Sequence, residues 1–167
     1  LAPATDALTA RYLSGVDVFY TSFIRDEDAL SASEVDALVD WVSSGGTLII
    51  SGDYIGVEAY ETFSAPFGVS DWESFGAPAS GMIVAAHPLT EGAADLGLQG
   101  HGYFSYGDDA IPLASAEGNT VMAVLEASSG YCDGGRVLVF GDTNIFSTRF
   151  DEYDHATLAA NMVAWAA

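Results

Sequence analysis

Residues 47–53 read Thr47-Leu48-Ile49-Ile50-Ser51-Gly52-Asp53, a short apolar run that stops at Gly-Asp. Upstream, Ser31 and Glu34 have the spacing of a helix capping box, and an apolar helical face and a Gly-Gly terminator follow them. Residues 16–23 are rich in β-branched and aromatic side chains, as buried strands are. This strand–helix–strand order predicts a right-handed crossover in a parallel sheet.

A second apolar run ends in the same way, at Arg136-Val137-Leu138-Val139-Phe140-Gly141-Asp142. The carboxyl ends of parallel strands meet at one edge of a sheet, which is where α/β proteins bind their ligands. We therefore expect both Gly-Asp turns at that edge, with neighbouring polar side chains and a histidine that lies between two glycines. The predicted ligand-binding residues are Asp53, Tyr54, Asp142, Thr143, Asn144 and His101.

The two aspartates allow two interpretations. Asp53 and Asp142 could hold a divalent cation, with Ca²⁺ the candidate, bind sugar hydroxyls, or share a proton as general acid and base. Alternatively, each carboxylate caps the turn that follows it by accepting backbone amides. For His101 the alternative is a solvated loop residue, and His155 is expected on the surface.

The composition excludes several classes of function. The chain has 24 acidic residues, four arginines and no lysine, which gives a net charge of -20. Such a surface repels nucleic acid and anionic membranes, and it suits salt-rich surroundings where the charge is screened. No apolar run is long enough for membrane insertion. The single Cys132 has no partner for an internal disulfide and is expected to be incidental. Gly-x-Ser-x-Gly and phosphate-loop motifs are absent.

The rest of the chain predicts a single domain over residues 1–167. A short helix is expected at 57–63, an irregular aromatic segment at 68–80, a strand at 81–86, short strands at 103–106, 111–114 and 121–126, and a closing helix at 154–166 with Asp154 as its N-cap. Residues 1–6 look like a loop, and the first clear strand is placed like the second strand of a wound sheet. We therefore expect a mostly parallel, flavodoxin-like α/β fold with helices on both faces. It would lack the usual first strand and helix, as a fragment of a larger polypeptide would.

The order of these elements resembles the non-catalytic class I glutamine amidotransferase-like domains, including those of gliding-motility and intraflagellar-transport proteins. The resemblance lies mainly in Trp41-Val42-Ser43-Ser44-Gly45-Gly46-Thr47-Leu48-Ile49-Ile50 and in Gly135-Arg136-Val137-Leu138-Val139-Phe140-Gly141-Asp142. Catalytic members carry a cysteine after the first of these strands and a His-Pro-Glu-like motif after the second. Here Gly52-Asp53-Tyr54 and Gly141-Asp142-Thr143 occupy those places. The resemblance therefore implies the fold and argues against glutamine hydrolysis.

Three functions follow as hypotheses. The first is a non-catalytic binding or assembly module with a protein or carbohydrate partner and no cofactor, in an extracellular or cell-envelope polypeptide or in the cytoplasm of a salt-adapted organism. The second is a hydrolase that uses Asp53 and Asp142, with a possible divalent cation. The third is a self-assembling subunit of a filament or coat, completed by a strand from its neighbour, because an open sheet edge recruits backbone partners.

Overall fold

A computed structural model of the chain describes residues 7–21 and 23–167. Within these residues, seven strands and four α-helices carry the fold, and short 3₁₀ turns connect several of them. The strands are β1 (Val18–Thr21), β2 (Thr47–Ser51), β3 (Val69–Ile83), β4 (Asp95–Tyr106), β5 (Ile111–Ala116), β6 (Asn119–Leu125) and β7 (Arg136–Phe140). The helices are α1 (Ala10–Leu13), α2 (Ala32–Ser43), α3 (Val57–Ser64) and α4 (His155–Ala166).

The strands form one mixed sheet in the order β1-β2-β7-β6-β5-β3-β4. Strands β1 and β2 pair in parallel, as do β2 and β7, whereas the other four pairings are antiparallel. The prediction of a flavodoxin-like, mostly parallel sheet with helices on both faces is therefore wrong. The crossover through α2 between β1 and β2 is present as predicted, but the wound pattern does not continue beyond it.

Connection length explains this difference. A parallel neighbour requires a crossover of a dozen or more residues, usually a helix, whereas a short turn can join only antiparallel strands. Between β4 and β6 the chain has only short turns, at 107–110 and 117–118, and no helix. These strands therefore form hairpins, and β7 joins this antiparallel half to the parallel pair β1–β2.

Most element predictions are confirmed, with two exceptions. Residues 68–80 are not irregular, because β3 runs through them and on to Ile83, and β4 starts at Asp95, well before residue 103. Register shifts at Ser70/Glu73 and Phe75/Pro78 interrupt the alternation that would have revealed β3. Residues 1–6 lie outside the described part of the chain, as does Ser22 within the predicted first strand.

The apolar side chains divide between two core clusters on opposite faces of the sheet. Leu48 and Ile50 of β2 belong to one cluster, together with α2, α3 and Trp72 of β3. Ile49 belongs to the other, which packs under Leu158 and Trp165 of α4. Because side chains alternate along a strand, β2 contributes to both cores and is completely buried.

No helix among residues 7–21 and 23–167 is long and apolar enough to cross a membrane.

Candidate functional site

The two Gly-Asp turns lie side by side. Strands β2 and β7 are parallel neighbours, with Ser51 opposite Phe140, so the turns leave the sheet at the same edge. Asp53 is 3% exposed and Asp142 is completely buried. The hydroxyl of Thr143 donates to Asp53 Oδ2 at 2.5 Å and links the two turns. The structure thus brings together the two aspartates that the sequence singles out.

Asp142 has both carboxylate oxygens engaged by donors from this chain. Its Oδ1 accepts from the backbone amide of Asn144 at 2.7 Å and from the Asn144 side-chain amide at 2.9 Å. Its Oδ2 accepts from the backbone amide of Gln99 in β4 at 2.6 Å. Asp142 therefore caps the 3₁₀ turn Thr143–Phe146 and also fastens β4 to the end of β7.

Asp53 has a different environment. Its Oδ1 accepts from the backbone amide of Tyr54 at 2.8 Å, and its Oδ2 accepts from Thr143. Burial raises the pKa of Asp53, and the nearby charge of Asp142 raises it further, although the hydrogen bonds from Thr143 and Tyr54 oppose the shift. Helix α3 begins only at Val57, with Gly56 as its N-cap, so Asp53 caps no helix.

The β3–β4 hairpin covers this edge of the sheet. The Gly102 amide of β4 donates to the Gly141 carbonyl at 2.7 Å, and a Cβ atom at Gly141 would overlap the Gly102 carbonyl oxygen. A Cβ atom at Gly52 would likewise overlap the indole ring of Trp72 from β3. Such close approaches require glycine at both turns. The place where a wound α/β protein exposes its ligand site is therefore closed by the chain's own hairpin.

His101 lies inside β4 and is not a solvated loop residue. It is 2% exposed, its ring centroid lies 5.2 Å from that of Phe75, and its buried Nδ1 has no hydrogen-bond partner among the described residues. Burial lowers the pKa of His101, while the charges of Asp142 and Glu117 act in the opposite direction. The glycines that flank His101 indicate close packing rather than a flexible loop.

The other predicted site residues surround the aspartates at the same edge. Thr143 and Asn144 are partly buried and use their side chains on Asp53 and Asp142. Tyr54 is 43% exposed, and its ring covers Gly100, where a Cβ atom would come within 2.9 Å of the ring. The predicted set is thus contiguous, and Tyr54 is its most exposed member.

A cation would find few unoccupied ligands at this edge. Within the described residues, no group of three or more His, Cys, Asp and Glu side chains could hold a metal ion. Asp53 and Asp142 could contribute only as a pair, and the oxygens of Asp142 already accept three hydrogen bonds. A cation that bound both aspartates would compete with these donors.

Two more buried polar residues lie beside the aspartates, and sequence reasoning missed one of them, Tyr60. Ser51, at the end of β2, is completely buried, and its Oγ has no partner among the described residues. Tyr60 of α3 accepts the Ile24 amide at 3.1 Å through its hydroxyl, and burial raises the pKa of Tyr60 to about 12, helped by the charges of Asp53 and Asp26. Tyr60 belongs to no motif, so only the fold brings it to the site.

His155 and Cys132 have structural roles. His155 is completely buried, contrary to the surface position expected for it, and its Nε2 accepts the Gly97 amide at 3.0 Å. Its neighbour Asp154 is the N-cap residue of α4, as predicted, but its side chain accepts the amides of Ala94 and Asp95 and makes no cap hydrogen bond to the helix. Cys132 is buried, which raises its pKa to about 11 and leaves the thiol protonated.

Fold and site together define a mixed-sheet α/β domain whose acidic ligand edge is closed by its own hairpin. The chain belongs to the family described as "Domain of unknown function (DUF4350)", whose model matches residues 17–163. No curated protein is significantly similar to it.

Several solved structures share the fold at low sequence identity. The cytoplasmic protein STM1381 from Salmonella typhimurium LT2 superposes with a TM-score of 0.74 at 19% identity, over 97% of this chain and 76% of that one. The mmIFT52 N-terminal domain gives a TM-score of 0.72 at 17% identity, over 96% and 81% of the two chains. The exo-β-1,4-mannosidase Op5Man5 from Opitutaceae bacterium strain TAV5 gives a TM-score of 0.56 at 15% identity, and the match covers 88% of this chain but only 25% of the enzyme. These similarities establish the fold, and the class I amidotransferase-like assignment stays a resemblance.

Proposed function

We propose that this domain is a non-catalytic binding module. The observation that carries the proposal is the state of Asp53 and Asp142, which are buried beneath β4 and hydrogen-bonded to donors of the same chain. A general acid or base must come within hydrogen-bond reach of a substrate atom. Here Asp142 uses both oxygens to fasten β4 and the following 3₁₀ turn. Its arrangement is that of a structural carboxylate.

The hydrolase alternative would need this edge to open. Gly102 and Gly141 are joined by a 2.7 Å backbone hydrogen bond directly over the end of β7. A substrate that approached both aspartates would have to break this bond and the one from Gln99 to Asp142. Exposing a buried charged network in this way costs several kcal/mol. The raised pKa of Asp53 follows from its burial and needs no catalytic explanation.

The same fold occurs as a small part of larger proteins, which supports the proposal that this domain is a binding module. The similarity to the mannosidase Op5Man5 covers only 25% of that enzyme, and the similarity to the β-galactosidase from Rahnella sp. R3 covers 22%. In both, the matching part is a minor portion of a larger chain. A fold can serve many functions, so these likenesses do not transfer the enzymes' activities.

The proposal is tested by incubating the protein with glutamine, p-nitrophenyl esters and p-nitrophenyl glycosides, with and without Ca²⁺. We expect no turnover above buffer. The matched variant is Asp53→Asn, which keeps the size of the side chain and removes its charge. Turnover by the wild-type protein that disappears in Asp53→Asn, with both proteins equally folded by circular dichroism, would contradict the proposal and support the hydrolase.

A further inference from the structure

Strand β1 has an open outer edge. It is the first strand in the sheet order, and among the described residues it pairs only with β2. The Asp17 carbonyl accepts the Thr47 amide, so the backbone groups of Asp17, Phe19 and Thr21 point toward β2. By alternation, the amides and carbonyls of Val18 and Tyr20 point outward. These groups can receive a further strand.

An apolar groove lies beside this edge, between β1 and α4. It has a volume of about 480 Å³ and is lined only by uncharged residues, among them Val18, Tyr20, Met162, Val163 and Ala166. Val163 is 68% exposed, Tyr20 41% and Val18 37%. An added strand would direct every second side chain toward this groove, because side chains alternate between the faces of a sheet. Backbone hydrogen bonds and pockets for alternate side chains are the two elements of recognition by strand addition.

The charges around β1 indicate what kind of segment fits. Asp17 precedes the strand and is exposed, and the exposed acidic turn Asp26–Asp28 follows it along the chain. The whole chain carries -20 and has no lysine. A second copy would bring the same charge to the interface and be repelled, whereas a basic segment would be attracted. Charge complementarity therefore favours a basic partner over self-association.

We propose that β1 binds an extended segment of a partner protein as an added strand. The segment places apolar side chains at alternate positions over Val18, Tyr20 and Val163, and it carries basic residues that are attracted by Asp17 and by the acidic surface of the chain. This inference rests on the proposed function and specifies the partner of the module. It does not depend on Asp53 or Asp142, so the two proposals can fail separately.

The probe is a short synthetic peptide with lysine at each end and alternating valine and threonine between them. Binding is measured by calorimetry, and amide hydrogen exchange is followed by NMR. We expect binding that protects the amides of Val18 and Tyr20 and changes those of Phe19 and Thr21 little, since the latter already face β2. N-methylation of the peptide at the positions that face β1 removes donors without changing its charge, and it should weaken binding about tenfold or more.

Val163→Asp tests the groove, with Met82→Asp as the matched control because Met82 is similarly exposed, at 64%, on β3. Only Val163→Asp should weaken peptide binding. Equal binding of the methylated and unmethylated peptides would show attraction by charge alone and overturn the proposal. A dimer in light scattering that Val163→Asp abolishes would overturn it too, since the occupant would then be a second copy. Either failure leaves the hydrolysis test of the proposed function unaffected.

Discussion

Two aspartates in matching sequence contexts have different physical roles. Asp142 accepts three hydrogen bonds from Gln99 and Asn144 and holds two segments together. Asp53 accepts one backbone amide and the Thr143 hydroxyl, and its pKa is raised because burial outweighs these bonds. The capping alternative is thus confirmed for Asp142, whereas Asp53 accepts the backbone amide of Tyr54 in the turn that follows it but caps no helix. The sequence could not separate them, because the donor from Gln99 comes from a segment about forty residues away in the chain.

Asp53→Asn should change the pH dependence of stability. A raised pKa means that the folded state binds the Asp53 proton more tightly than the unfolded state does. The contribution of Asp53 to stability therefore decreases as the pH rises from its ordinary pKa to its raised pKa. Asparagine does not ionise, so it contributes no such pH dependence. In urea unfolding at constant ionic strength, the free energy of unfolding of Asp53→Asn relative to wild type should therefore increase from about pH 4 to pH 7. A constant difference, or one that decreases, would contradict this.

Asp142→Asn should destabilise the protein. An asparagine can accept at only one of the two oxygen positions, so either the Gln99 amide or the Asn144 donors would face an NH₂ group. A buried donor without an acceptor costs about 1–3 kcal/mol. Urea unfolding at pH 7 should show this loss. Stability equal to wild type would mean that the carboxylate does not fasten β4.

At the scale of elements, the β3–β4 hairpin determines which surface is available. It closes the carboxyl edge of β2 and β7 through Gly102, Gly141 and Gly52. Its position could not be predicted, because β3 contains register shifts and a left-handed residue, Asp71 at φ 53°, which interrupt the two-residue period. Helix α2, by contrast, was predictable, since the Ser31 amide donates to Glu34 as the capping motif requires.

Gly141→Ala tests whether the hairpin closes the edge as described. The added methyl group would overlap the Gly102 carbonyl oxygen, so β4 would have to move, at a cost of about 3 kcal/mol. Gly15→Ala is the matched control, because no atom lies within 4 Å of the added Cβ, and its effect should stay within about 0.5 kcal/mol. Chemical denaturation measures both values. Equal stability of the two variants would refute the close approach.

At the scale of the molecule, charge dominates the behaviour in solution. The net charge of -20 is opposed by few internal ion pairs, of which Arg149–Glu152 and Arg25–Glu27 are examples. Like charges on a compact surface repel one another more than they do in an extended chain. The sequence alone predicts this property, because it depends on composition. The mixed sheet could not be predicted in the same way, because it follows from pairings such as β2–β7 between distant segments.

Salt should therefore stabilise the fold. Raising NaCl from about 0.05 M to about 1 M screens the repulsion and should raise the thermal unfolding midpoint. Choline chloride at equal ionic strength should act similarly, because screening does not depend on the identity of the cation. If millimolar Ca²⁺ stabilised the protein more than NaCl of matched ionic strength, a bound cation would be responsible. The Asp53→Asn variant would then identify whether the predicted cation residues hold it.

The central position of β7 has a consequence for synthesis. Strand β7 pairs with β2 on one side, where Thr47 lies opposite Arg136, and with β6 on the other side, where Leu125 lies opposite Val137. Before β7 emerges from the ribosome, the nascent chain therefore contains the strands of two partial sheets without the strand that joins them. Each would present an unpaired inner edge during translation, when chaperones can bind it. Cooperative folding of this domain must wait until one of its last strands has been made.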